Sequence, residues 1–196
     1  MSSFTLTDRV RALSQPILAP VADLLARLNV HPNAVSLIGF LGCVAAGGAL
    51  ALGYVRLGGL LLLVFGPLDA VDGLLARRAG KVSPFGAFLD STLDRLAEIA
   101  IFGGLTYWAL KGGNFPLVLL SFFALTGSLM VSYTRARAEA LGFECKVGLL
   151  TRFERLAILT LGLLLGWVEV FVAVIAVLAN LTVLQRVLHV FRCAKG

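Results

Sequence analysis

Apolar runs long enough to cross a bilayer leave this chain little choice of fold. Residues Ala34 to Gly53 carry no charge at all, and a spanning helix needs about 20 mostly apolar residues. The chain is 59% hydrophobic and 14% charged, against roughly 25% charged in soluble domains. An all-α integral membrane protein follows, with 1–196 as a single domain: 1–30 a juxtamembrane helix and 31–196 a six-helix bundle.

The other five spans read less cleanly than the first. Leu57 to Leu68 is short but continues helically through Asp69 and Asp72 to Ala76. Phe85 to Leu110 carries Asp90, Asp94 and Glu98. Pro116 to about Tyr133, Arg155 to about Trp167, and Val168 to about Val190 complete the set, with a break expected near Gly166. Leu6 to Leu28 places Val10, Leu13, Ile17, Val21, Leu24 and Leu28 at helical spacing, with Arg9, Asp23 and Arg27 on the polar face. An amphipathic helix lying in the membrane interface is expected there. These residues lack the unbroken apolar core of a cleavable signal peptide.

Charge sets the orientation. Six spans put Arg9, Arg11, Arg27, Arg77, Arg78, Lys81, Arg135, Arg137, Lys146, Arg152, Arg155, Arg186, Arg192 and Lys195 on one side, and only Arg56 and Lys111 on the other. The positive-inside rule then places both termini in the cytoplasm. The +6 net charge reflects this bias and not a nucleic-acid surface. Tyr107, Trp108 and Trp167 fall at the outer boundary, where an aromatic belt is expected. Cys43, Cys145 and Cys193 are far apart and odd in number, so no disulfide or zinc pattern arises. Cys43 reads as a small core residue and the other two as free thiols.

Four aspartates stand out against this apolar background. Asp69 and Asp72 are three apart, and Asp90 and Asp94 four apart, so each pair shares a helix face. Gly80, Ser83 and Pro84 suit a tight turn between the two helices. Carboxylates at membrane depth are costly and usually functional. Packed together they repel, and divalent cations relieve the repulsion. All-oxygen ligands suit Mg²⁺ or Mn²⁺, and two such ions could clamp a pyrophosphate. Gly73 and Gly86 open space beside the acids, and Arg77 lies one turn past Gly73, placed to meet phosphate. Two other readings use the same acids: carboxylates paired with arginines to pack the bundle, and a cation or proton path through a transporter. Clustering at one depth argues against the path. Glu98, one turn beyond Asp94, could tune the site or hydrogen-bond within the bundle.

The string Asp69-x-x-Asp72-Gly73-x-x-Ala76-Arg77-x8-Gly86-x-x-x-Asp90-x-x-x-Asp94 resembles the signature of the CDP-alcohol phosphatidyltransferases. The resemblance implies that a CDP-linked lipid gives its phosphatidyl group to an alcohol and releases CMP. It implies a homodimer and two divalent ions, one on Asp69, Asp72 and Asp90, the other on Asp69, Asp90 and Asp94. Asp94 would be the catalytic base. Gly73, Arg77 and Ser83 would hold the CDP portion, with Gly86 opening space beside it. Asn33 and Ser36 resemble a cytidine-contacting element, or else cap the first span.

The acceptor is addressed by a second basic cluster. Ser132-Tyr-Thr-Arg135-Ala-Arg137-Ala-Glu139, then Arg152-Phe-Glu154-Arg155, resemble the phosphatidylinositol-phosphate synthases. That likeness implies that Ser132, Arg135, Arg155 and Arg186 grip the phosphate of inositol 1-phosphate, a soluble phosphorylated polyol. Phe153 stands where proline is often found. Phosphatidylglycerophosphate synthase, with glycerol 3-phosphate as acceptor, is the chief rival; Ser91-Thr92-Leu93 between Asp90 and Asp94 departs from its pattern. An ether-lipid donor, and a synthase using CDP-inositol as donor, stay open. Arg78, Lys81, Lys146, Arg192 and Lys195 read as positive-inside charges that meet anionic lipid headgroups. His31 and His189 are read as interfacial residues.

Overall fold

The computed structural model describes residues 18–195, and all regular structure among them is helical. Eight helices follow in order: α1 (18–27), α2 (Pro32–Ala51), α3 (Val55–Phe65), α4 (Leu68–Arg78), α5 (Pro84–Lys111), α6 (Phe115–Ala140), α7 (Arg152–Leu165) and α8 (Val168–Cys193).

Local chemistry sets most boundaries. Pro32, Pro84 and Pro116 sit in first turns, where proline's missing N–H costs nothing. His31 caps α2, its Nδ1 accepting from the Asn33 N–H at 3.2 Å. The capping role considered for Asn33 therefore falls to its neighbour. Ser83 Oγ accepts from Gly86 N–H at 3.0 Å to start α5, and Asn114 Oδ1 accepts from Leu117 N–H at 3.1 Å to start α6. The expected break near Gly166 is present: Gly166 adopts φ 78° and ends α7, a left-handed position that glycine takes without strain.

One expectation needs correction. The helix expected to run unbroken from Leu57 to Ala76 divides at Gly66-Pro67, with α3 ending at Phe65 and α4 starting at Leu68. Pro67 has no N–H to continue the ladder, and its ring crowds the preceding turn. Four segments are long and apolar enough to cross a membrane: Pro32–Ala51, Val55–Arg78, Phe115–Ala140 and Val168–Cys193. Helix α5 is 28 residues long but carries Asp90, Asp94, Arg95 and Glu98 before its apolar second half. Helix α7 has 14 residues, about 21 Å of length at 1.5 Å per residue. The chain is a multi-pass membrane protein on the strength of the four long segments.

Only 18–27 of the expected interfacial helix can be compared; Val10, Leu13, Ile17 and Arg9 lie outside the described residues. Ala22 is fully buried and joins Leu18 and Leu25 in packing on Val35, Val71 and Leu75. Arg78 pairs with Asp23 and donates to the Ala19 carbonyl at 2.9 Å, while Lys81 Nζ donates to Asn29 Oδ1 at 2.8 Å. These two cations, read from sequence as headgroup contacts, instead fasten α1 to the end of α4 and the turn that follows it.

The core is enclosed by six helices: α2 packs on α5 and α3, α5 on α6, α6 on α8, and α7 between α8 and α3. At the α2–α5 crossing Gly47 and Gly104 meet backbone to backbone: a Cβ on Gly104 would overlap the Gly47 carbonyl, and one on Gly47 the Ala100 carbonyl. Small residues permit such approach in membranes, where close packing replaces the hydrophobic drive. Cys43 and Cys145 are both buried and Cys193 is exposed.

Gly104→Ala should therefore destabilise by about 1–3 kcal/mol through overpacking, read as a lower Tm in detergent. Its neighbour Gly103 has open space around it, so Gly103→Ala should leave Tm unchanged or slightly raised.

Candidate active site

The division at Gly66-Pro67 begins a new helix just before the acids. Asp69 falls in the first turn of α4, where a carboxylate is favoured by the helix dipole. Asp72 lies one turn on and is buried, 5% exposed. Helix α5 presents Asp90 and Asp94 from the other side of the turn. Carboxylate oxygens of Asp69, Asp72 and Asp90 lie within 4.8 Å of one another. Ser36 Oγ, reaching across from α2, donates to Asp72 Oδ2 at 2.5 Å. The donor set is all oxygen and its three members repel, which fits a hard divalent cation.

Asp94 stands outside that group of three. Arg152, at the start of α7, reaches it: Nη2 contacts Asp94 Oδ1 and Nη1 contacts Asp69 Oδ2, each at 2.8 Å. Arg95 adds a 3.1 Å contact to Asp94 Oδ2. The acids and Arg152 line a cavity of about 280 Å³ that also takes in Ser36, Gly39 and Cys43.

Of the residues expected around the CDP portion, Ser36 lines this cavity. A Cβ on Gly86 would lie 3.1 Å from Ser83 Oγ and 3.3 Å from Asn33 Oδ1, so these three meet at the junction of α2 and α5. Arg77 is exposed and lies over Gly73, whose missing side chain leaves that helix face open.

The acceptor residues are less concentrated. Arg155 is 3% exposed and its Nη2 donates to Glu98 Oε1 at 2.7 Å. Its Nε and Nη1, together with Glu98 Oε2 and Arg152 Nε, are buried with no hydrogen-bond partner. Arg155, Glu98 and Arg152 line a second cavity of about 330 Å³. Arg186 is buried and donates to the Val147 carbonyl at 2.9 Å and to the Val131 carbonyl, tying the loop after α6 to α8. Arg135 is exposed and pairs with Glu139 on its own helix at 2.8 Å. Ser132 Oγ donates to the Ser128 carbonyl at 3.4 Å. Of these four, Arg155 alone lines either of the two cavities.

Arg152 is the residue that sequence reasoning counted among the positive-inside charges and in the Arg152-Phe-Glu154-Arg155 motif, without a place beside the acids. A signal for it existed. Asp94 and Glu98 are four apart on α5, and Arg152 and Arg155 three apart on α7, a match that lets both ion pairs form between the helices. Glu98, undecided from sequence, is the buried partner of Arg155. Part of the ion-pair reading of the acids is thus realised beside the acidic triad. His189 keeps a structural place, its Nε2 3.0 Å from the Glu144 carbonyl.

Residues 29–188 match the family described as CDP-alcohol phosphatidyltransferase. The chain belongs to that family. Among its relatives is an archaetidylinositol phosphate synthase of Methanothermobacter thermautotrophicus, 37% identical over 97% of both chains. A phosphatidylinositol phosphate synthase of Streptomyces avermitilis is 44% identical over 78% of this chain and 64% of its own. The solved Mycobacterium tuberculosis phosphatidylinositol phosphate synthase with CDP-DAG bound superposes with a TM-score of 0.82 at 32% identity, covering 90% of this chain and 94% of that one. The same enzyme in complex with manganese and citrate gives 0.79 at 31% identity, covering 89% and 88%.

Removing Glu98 would leave Arg155 buried without its charge partner, a change that typically costs about 3–5 kcal/mol. Glu98→Ala should lower Tm in detergent strongly, and Glu98→Gln, which keeps an acceptor, should lower it less.

Proposed function

We propose that this member of the CDP-alcohol phosphatidyltransferases moves a phosphatidyl group, or its ether-lipid analogue, from a CDP-linked lipid to a hydroxyl of inositol 1-phosphate, releasing CMP. The observation that carries the reading is the acidic triad of Asp69, Asp72 and Asp90 beside buried, unpartnered arginine donors. The relatives' names support the acceptor: they differ in the lipid portion and agree on inositol phosphate. The tuberculosis enzyme's complex with CDP-DAG supports the donor.

Two divalent ions, Mg²⁺ or Mn²⁺, would supply charge neutralisation at the pyrophosphate, held by Asp69, Asp72 and Asp90 and by Asp69, Asp90 and Asp94. A manganese complex of the tuberculosis enzyme supports this assignment. Asn33, Ser36, Gly73, Arg77, Ser83 and Gly86 would seat the CDP portion. Asp94 would take the proton from the acceptor hydroxyl. The freed oxygen would attack the lipid-side phosphorus, and the bond to the departing CMP oxygen would break. Arg155 would grip the acceptor phosphate with Ser132, Arg135 and Arg186, guanidinium being suited to phosphate.

The same reading gives the membrane plan. The whole of 1–196 would act as one domain with six crossings. Helix α5 would cross with its acidic half turned into the bundle, and α7 would make the shortest crossing. An interfacial N-terminal helix would lie on the cytoplasmic leaflet. Termini and site would face the cytoplasm of the cell membrane, and the enzyme would be a homodimer. The strong bias of arginine and lysine to one side supports this orientation.

CMP release should require Mg²⁺ or Mn²⁺ and be fastest with inositol 1-phosphate among an acceptor panel that includes glycerol 3-phosphate, free inositol and serine. Preference for glycerol 3-phosphate would move the chain to the rival subgroup. Asp94→Asn should lower kcat by about 10²–10⁴; full turnover would remove it as the base. Arg155→Ala should raise acceptor KM far more than CDP-lipid KM, provided the folded fraction is matched by size-exclusion profile.

A further inference from the structure

Two cavities meet at one side chain. The acidic cavity and the arginine cavity share Arg152 and Ala97 in their linings. Arg152 is the charged wall between them. Its guanidinium is split between carboxylates of different helices, one Nη on Asp69 and the other on Asp94, each at 2.8 Å. Its Nε is buried and has no hydrogen-bond partner. On the far side of the wall, Arg155 Nε and Nη1 and Glu98 Oε2 are likewise buried and unpartnered.

The arrangement is unusual for arginine. A guanidinium is best satisfied by the two-pronged fork of one carboxylate or phosphate, whereas Arg152 gives one prong to each of two acids and leaves its third group idle. Asp69 and Asp94 are also the acids assigned above to a second cation. A guanidinium 2.8 Å from a carboxylate oxygen competes with a divalent ion for the same negative charge, and the two cations repel.

We propose that Arg152 is an exchangeable counter-ion and positioning residue. It neutralises Asp69 and Asp94 until a divalent cation takes that place, and it then swings its guanidinium through the shared wall toward the anionic group of the acceptor beside Arg155. Cation loading and acceptor recognition are thereby coupled through one side chain. The same movement opens the wall and joins the two cavities, so the acceptor hydroxyl can approach Asp94. This rests on the two-cation reading given under Proposed function.

The test measures Mn²⁺ binding by the purified full chain in detergent, without either substrate, by calorimetry and by the electron paramagnetic resonance of free Mn²⁺. Arg152→Gln removes the competing charge. The weaker of two Mn²⁺ sites should tighten by about tenfold, in the range usual for coupled partners of one site. Separately, acceptor KM should rise while CDP-lipid KM holds. Arg152→Lys, a single point charge that cannot bridge two acids, should give an intermediate tightening and serves if the Gln variant does not fold. Unchanged or weakened Mn²⁺ binding in the variants, with two sites intact in the unmodified protein, would overturn the exchange while leaving the two-cation reading in place. No Mn²⁺ binding by the unmodified protein would instead remove that reading, and the exchange with it.

Discussion

Mutual repulsion of carboxylates held in a helical bundle is the constraint around which this molecule is organised. At separations like those among Asp69, Asp72 and Asp90, each ionised pair opposes the fold by roughly 3–4 kcal/mol at an effective dielectric near 20. Three devices counter it. The Gly47–Gly104 crossing locks α5 to α2 by backbone contact, and α2 in turn packs on α4. Ser36 gives Asp72 a direct hydrogen bond. Arg152 takes one oxygen from Asp69 and one from Asp94. A fourth device, a bound cation, completes the set in the proposed enzyme. The acids are therefore held in a poor arrangement by packing, and that arrangement gives the site its affinity for positive charge.

The division at Gly66-Pro67 belongs to the same logic. A straight helix from Val55 to Arg78 would carry Asp69 and Asp72 along the axis of α3. Restarting the helix gives α4 its own first turn, in which Asp69 sits. Gly66 also packs tightly against Leu156 of α7, where an added Cβ would lie 2.5 Å from a leucine methyl. That contact brings the start of α7, with Arg152 and Arg155, alongside the acids.

The acidic site was legible because its chemistry is local. Spacings of three and four fix which face of a helix an aspartate occupies, and a Gly-Ser-Pro turn fixes that two helices are antiparallel. The spans legible from hydropathy were those free of charge, such as Ala34 to Gly53. Helices α5 and α7 resisted because one mixes spanning length with five charged residues and the other is short, so neither composition nor length decides alone. Pro67 was visible as a residue but was passed over inside an apolar run. Matched spacings on α5 and α7 carried a signal for the partners of Arg152 and Arg155, whereas those of Arg186 were not legible, since they arise where the end of α6, the loop after it and α8 come together, tens of residues apart in sequence. Arg186 shows why: its reach to the Val131 and Val147 carbonyls depends on a loop whose path no periodicity encodes.

The arginines divide into those that shape the site and those placed to read a ligand. Arg186 gives its Nε and Nη1 to backbone carbonyls, so those groups secure the loop geometry. Arg135 is exposed and paired only with a neighbour on its own helix, an arrangement of small energetic weight, and it can turn away at little cost. Arg155 is different. Glu98 fixes one end of its guanidinium and leaves Nε and Nη1 desolvated and idle, and a buried donor without a partner favours any anion that can reach it. In the proposed function, selectivity for a phosphorylated acceptor would reside in this preformed Arg155–Glu98 pair. Glu98 offsets part of the positive charge that the cavity offers, and its second carboxylate oxygen is left without a partner. The proposed polyol phosphate would bring a phosphate to the idle donors and a hydroxyl to that oxygen.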